Sequence, residues 1–318
     1  MALDLSALTN YVKENELQLT SAAIFSAKSA RLIEQFGNVQ VGIKSAETIN
    51  IMATDAVFQT GGTCGFNSSG TTTITQRTLT VGKIKIQESI CPKTFEAKYT
   101  QKALREGSTY DYMAYAQEYS AQKVQKIGAA LETAIWMGNT ASGNAQLNKF
   151  MGIGTIIDAL GFGGSGDPVK GNTSQLTTLT SANIEQAVDE TFAAIPAALL
   201  DKEDVVIFCG NDTFRDYVIA LRDSNLFHYA VDAVNMELVV PGTNIKLIGV
   251  NGLNATDTLF ALSMSNLYLG TDLLNEQDRF ELFYAKEADE MRFVVEFKFG
   301  VQVAFPDEVV FWKLYVAP

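Results

Sequence analysis

The chain has 318 residues, 47% of them hydrophobic and 19% charged, with a formal net charge of −12. That length suits one large domain or two modest ones, and the composition excludes a disordered chain, a collagen and a disulfide scaffold. The acidic balance argues against a dedicated DNA or RNA reader, which needs a Lys/Arg excess to displace phosphate counterions.

Residues 17–36 read as a helix, with Leu17, Ile24, Leu32 and Phe36 among Ala, Ser, Lys and Glu, and Gly37 as a stop. Residues 39–58 are short strand-like pieces, opened by the alternation of Val39, Val41 and Ile43. Gly61 to Gly70 carries turn chemistry. From Thr71 to Ile90 the chain is rich in Thr, Ile and Val. Leu79 and Val81 share one face, Ile84, Ile86 and Ile90 take the other parity, and a bulge is expected at Gly82. The polar alternates make this a ribbon with little core of its own. A lone two-stranded ribbon is marginal in water, so it is expected to lie on something else.

Residues 108–138 are the clearest element. Ser108 to Asp111 resembles a capping box, and Met113, Ala116, Ser120, Val124, Ile127, Leu131 and Ala134 follow at steps of three or four. Such a helix would run ~45 Å. Residues 139–180 are rich in Gly, Asn, Ser and Thr. A second helix is expected over 181–200, ended or kinked by Pro196. Asp204 to Gly210 reads as a buried strand, and Asn211 as the cap of a third helix carrying Phe214, Val218 and Leu221. Short strands follow around 245–250, 258–263 and 266–269. Phe293, Val295, Phe297, Phe299, Val301, Val303 and Phe305 then alternate without a miss, a strand of ~43 Å. Pro306 breaks it and Val309–Val316 starts another. The matching lengths predict that the long helix and long strand pack along each other.

Charge is uneven. Residues 1–150 hold 14 Lys/Arg against 12 Asp/Glu, whereas 151–318 hold 10 against 24. Residues 77–105 form a basic arm that includes Arg77, Lys83, Lys85 and Lys93. Such a run is either a solvated basic face or a contact between copies, a basic arm of one lying on the acidic body of another, and these four are the candidate contact residues.

No catalytic, metal or cofactor site is expected. Cys64, Cys91 and Cys209 form no CxxC pair, and His228 is the one histidine, so zinc spacing is absent. The sparse cysteines fit a reducing compartment. Gly161 to Gly166 lacks the Lys and Ser/Thr of a phosphate loop, since Asp167 and Pro168 follow. Asp201, Glu203 and Asp204 do not make an EF-hand loop. The N-terminus lacks the basic start and apolar core of a secretory signal, and no apolar run approaches the ~18 residues of a membrane span. Residence in a cytoplasm, away from membranes, is expected.

The order of elements, with Met291–Phe311 as its most specific stretch and Val205–Leu221 as a second, resembles the major capsid protein of tailed bacteriophages, the Hong Kong 97-type capsid fold. The resemblance implies an α+β chain with five parts. These are an N-terminal arm over 1–38, a strand and extended β-ribbon loop over 39–98, a peripheral domain with spine helix over 99–150, an inserted axial α/β domain over 151–275, and return strands of the peripheral sheet over 276–318. The ribbon itself is expected over 59–95. No charged scaffolding segment is visible ahead of the arm. The resemblance implies a structural subunit of an icosahedral capsid enclosing double-stranded DNA. Its partners would be many copies of itself in hexamers and pentamers, a scaffolding protein, a portal, and DNA touched non-specifically. It would assemble in the cytoplasm of a bacterial host. The alternatives are a cellular protein nanocompartment and, from a different class, an α/β enzyme with a site near 205–230 using Asp212, Asp216 or His228.

Overall fold

The computed structural model describes residues 16–59, 66, 68–91, 112–164, 166–224, 235–272, 279–288 and 290–316. Its centre is β12 (Glu290–Val303), the long alternating strand foreseen from the sequence. On one side β12 pairs antiparallel with β4 (Gly82–Ile90). On the other side its neighbour changes along its length: β11 (Arg279–Ala285) covers residues 290–296, and β10 (Leu267–Thr271) covers 299–303. The short β1 (Val39–Val41) joins β10 in parallel and completes a five-stranded sheet.

The two-residue period of a strand divides this sheet. Phe293, Val295, Phe297, Phe299, Val301 and Val303 enter the main core beneath the helices. Glu296, Lys298 and Gln302 fall on the opposite face. There Lys298 is buried against a wholly buried Asp272, with Nζ and Oδ2 2.6 Å apart. The pair lies where the strand's neighbour switches, and the Thr271 hydroxyl donates to the Lys298 carbonyl.

A ribbon rises from this opposite face. It is built from β2 (Ala46–Thr54) and β3 (Thr72–Thr80), paired antiparallel from Ala46↔Thr80 to Thr54↔Thr72. The expected ribbon over 59–95 is thus corrected. Its first strand begins at residue 46, and 82–90 is part of the five-stranded sheet. Gly82 marks this transfer from one partner strand to another, not a bulge within one ladder. The cause is parity: Ile49, Ile51, Leu79 and Val81 form a small cluster with Ile43 and Ala304, which seats the ribbon's base on the sheet.

The second sheet has six strands, in the order β5 (Val169–Lys170), β13 (Val310–Trp312), β9 (Leu259–Ser263), β6 (Val205–Gly210), β8 (Lys246–Val250), β7 (Glu237–Val239). Two boundaries expected from the sequence therefore differ. Strand β10, inside 151–275, belongs to the first sheet. The segment after Pro306 is a 3-10 turn (Pro306–Glu308) and the three-residue β13, which crosses to the second sheet.

Strand β6 is buried on both faces. Its odd residues Val205, Ile207 and Cys209 pack against α5 (Ile184–Ala193) and α6 (Asn211–Asp223). Its even residues Val206 and Phe208 join the main core. Helix α6 starts at Asn211, with Gly210 in the capping position, so Asn211 is not the cap. The Asn211 amide is satisfied from outside, donating to Asn254 Oδ1 at 2.7 Å.

The expected N-terminal helix is two helices, α1 (Glu16–Phe25) and α2 (Lys28–Gln35). The break comes at Ala27, which is extended. The long helix α3 (Tyr112–Met137) runs ~39 Å at 1.5 Å per residue. Tyr119 meets Phe293 edge-on at 5.6 Å, while Trp136 packs 5.0 Å from Phe208 and 5.3 Å from Phe260. The helix thus starts over the five-stranded sheet and ends against the six-stranded one, tying the two together where the sequence suggested a match to the long strand alone. A last helix, α4 (Ile153–Leu160), fills the junction through Ile153 and Ile157.

Candidate assembly surface

Strand alternation gives the ribbon two unlike faces. The face carrying Ile49, Ile51 and Leu79 is buried at the base. The other presents Asn50 and Gln76, hydrogen-bonded at 2.9 Å, then the cross-strand pair Met52 and Ile74, 64% and 69% exposed. Beyond the paired strands Phe58 is 100% exposed and Phe66 96%. Asp55 accepts a hydrogen bond from the Thr71 amide at 2.6 Å and holds the ribbon's two arms together there. Single exposed apolar residues are ordinary on a surface, but a protruding element with two aromatic and two aliphatic side chains in water is the signature of a contact surface.

The four candidate basic residues have different fates. Lys83 lies directly across the strands from Lys298, is exposed, and has no ion-pair partner among the described residues. Lys85 faces Glu296 and pairs with it within the chain at 2.8 Å. As a contact between copies Lys85 is therefore already engaged, because strand pairing puts opposite charges in register. Arg77 is half-buried on the ribbon's inward face, opposite Ile49. Burial lowers its guanidinium pKa and nearby Asp307 opposes the shift. Lys93 lies outside the described residues. Among the described residues of the arm, Lys83 is exposed and without an ion-pair partner, and the exposed apolar residues of the ribbon were not foreseen. The available signal was the parity of Met52 against Ile49 and Ile51, hidden because the segment read as short pieces.

The residues of the enzyme reading are placed differently. Asp212 caps its surroundings: Oδ1 accepts from Thr213 N at 2.9 Å and Oδ2 from Ala255 N at 2.6 Å. Asp257 lies close by; burial, with Asp212 and Asp216 adding to it, raises its pKa. His228 and Cys64 lie outside the described residues. Cys209 is buried and its thiol pKa is pushed up by burial, while Cys91 is exposed. Asp204 accepts from the Ser263 hydroxyl at 2.6 Å and the Ser265 amide at 3.0 Å. Burial would raise its pKa, but these hydrogen bonds outweigh burial and lower it. In the glycine-rich segment, Asp167 Oδ2 accepts from the Gly164 amide, so the loop closes on its own carboxylate. Among the described residues no group of three His, Cys, Asp or Glu could hold a metal, and no helix is long and apolar enough to cross a membrane.

No protein-family model and no curated protein matches the chain. Solved structures do. A chain of the satellite phage P4 procapsid is similar over 100% of this chain and 99% of its own, with a TM-score of 0.59 at 12% identity. The capsid of an empty GTA particle is similar over 89% of each chain, with a TM-score of 0.58 at 12% identity. The capsid of cyanophage A-1(L) is similar over 88% of this chain and 90% of its own, with a TM-score of 0.55 at 13% identity. The chain has the Hong Kong 97-type capsid fold, the α+β architecture expected from its order of elements.

Proposed function

We propose that this chain is the structural subunit of an icosahedral virus capsid, self-assembling into a shell that encloses double-stranded DNA. The observation that carries the reading is the end-to-end likeness to a procapsid chain, which leaves almost no part of either protein unmatched. The ribbon adds a physical reason. Its base is seated on its own sheet, but among the described residues Met52, Phe58, Phe66 and Ile74 stand exposed towards its tip. A second copy is the occupant that closes this account. A tip on one part of a subunit meeting a different part of its neighbour is a heterologous contact, and heterologous contacts close into rings. Rings of six and of five, bent against each other, make a closed shell.

On this reading the five-stranded sheet and the start of the long helix form the peripheral body, and the six-stranded sheet forms the axial body. Lys83 is the charge that meets the acidic body of a neighbour. Rings of two sizes call for a scaffolding protein, and a shell that fills with DNA calls for a portal. The acidic body would touch packaged DNA only non-specifically, since like charge prevents a tight grip. Three cysteines in 318 residues suit assembly in the reducing cytoplasm of a bacterial host.

Light scattering with negative-stain microscopy of the purified protein tests the proposal. Closed particles of megadalton mass are expected. A stable monomer of 34.6 kDa that persists when phage scaffolding proteins are co-expressed overturns it. Closed particles that retain a protein cargo and package no DNA would replace the capsid with a cellular compartment.

A further inference from the structure

Helix α3 carries a seat for the N-terminal helix pair. A Cβ on Gly128 would lie 1.7 Å from Ser26 Oγ, so the bare backbone at this position admits the turn between α1 and α2. Ser26 Oγ reaches the Val124 carbonyl at 3.3 Å. One turn along, the wholly buried carboxylate of Glu132 accepts two hydrogen bonds from Ser29, from its amide at 2.9 Å and its hydroxyl at 2.6 Å. Trp136 Nε1 donates to the same hydroxyl at 2.8 Å. Positions 128, 132 and 136 are four apart and therefore share one face of the helix.

Lys28 does not follow the turn into that seat. Its ammonium crosses to the six-stranded sheet, donating to the carbonyls of Asn235 at 2.7 Å and Gly249 at 3.1 Å, with Glu237 3.8 Å away. These carbonyls belong to a backbone already under constraint. Asn235 and Met236 have positive φ of 57° and 59°, and the Gly249 amide donates to the Met236 carbonyl. The Lys28 contact borders a cavity of about 300 Å³ that is also lined by Gln125, Glu132, Asn211 and Asn251. The body of the six-stranded sheet packs on the helix through the main core, and the turn after β8 lies against it, where a Cβ on Gly252 would fall 2.3 Å from the Glu132 carbonyl; Lys28 of the N-terminal pair adds a charged contact at the sheet's β7–β8 edge.

We infer that the N-terminal helix pair is a clamp that sets the angle of the six-stranded sheet on the long helix, with Ser29–Glu132 as its anchor and Lys28 as its grip. The inference goes beyond the capsid reading and holds whether or not the chain forms a shell. Releasing the turn from Glu132 releases the strands β7 and β8, because the residue that grips them travels with the turn.

Hydrogen exchange on Lys28→Met and Ser29→Ala proteins tests it. Lys28→Met should speed amide exchange over 236–250 by about ten- to hundred-fold, the range for a lost charge-assisted hydrogen bond. Ser29→Ala, whose side chain hydrogen-bonds to Glu132 and Trp136 on the long helix, should speed the same amides, and protection of β6 should stay unchanged in both. Faster exchange at 236–250 in Lys28→Met but not in Ser29→Ala overturns the clamp, since Lys28 would then be a local filler. No change in either overturns it as well. If a variant loses β6 protection, the wild-type protein in low denaturant decides: amides of 28–35 and 236–250 opening in one step support the clamp, and separate openings refute it.

Discussion

Replacing Met52, Phe58 and Ile74 together with serine should cripple assembly and leave the folded subunit intact. The three side chains are 64%, 100% and 69% exposed, so they contribute little to the chain's own core. Surface changes of this kind usually move folding stability by less than ~0.5 kcal/mol. Fully burying an Ile, Met or Phe side chain is worth ~1.5–3 kcal/mol. Scaled by exposure, a neighbour that covers the whole tip gains about 1.4 kcal/mol each from Met52 and Ile74 and about 2.5 kcal/mol from Phe58. Association also costs side-chain ordering, so roughly half of the total, ~2.5 kcal/mol per contact, is a reasonable net figure. That corresponds to about a 70-fold rise in the subunit concentration at which shells form. Light scattering against concentration gives the threshold, and urea unfolding of the unassembled subunit gives the control. An unchanged threshold with unchanged stability would refute the reasoning, because the tip would then be an exposed surface that no copy covers.

Other perturbations separate surface charge from buried charge. Lys83→Glu should weaken assembly and flatten its salt dependence, whereas Lys85→Glu, measured on the unassembled subunit, should cost no more than ~1 kcal/mol through its lost partner Glu296. Equal assembly thresholds for Lys83→Glu and wild type would remove the charge argument. Lys298→Met should cost about 3–5 kcal/mol in urea unfolding, because it removes the buried cation that lies 2.6 Å from the buried Asp272 carboxylate. Asp204→Ala should lower stability at neutral pH by about 1 kcal/mol, the net worth of its hydrogen bonds. The folded pKa of Asp204 lies below its ordinary value, so the carboxylate's contribution is complete above that value and fades as pH falls through the lowered one. Urea midpoints for both proteins should therefore converge in acid, and a gap that stays constant would mean that the carboxylate's charge is irrelevant.

The parts of the fold legible in the sequence are those in which one residue period governs one element. The long strand alternates because one face enters the core, so Phe293 to Val303 announce themselves by a period of two. The long helix and the unit formed by β6 and α6 are visible for the same reason, and their order along the chain was enough to suggest the fold. The candidate surface was legible only in part. The positive charge of Lys83 and Lys85 is written in the sequence, but the neutralisation of Lys85 depends on Glu296, 211 residues away, facing it across a ladder. Likewise, nothing local distinguishes Lys298 from an exposed lysine on a polar face, or Glu132 from a solvated helix residue. Their burial comes from what packs over them: Asp272 at the strand switch, and the turn at Ser29. Local periodicity therefore determined which elements form. Tertiary packing decided which strand lies beside which, sending β13 to the far sheet and 82–90 to the long strand. Register and burial depend on partners distant in sequence, and no short-range pattern encodes the partner.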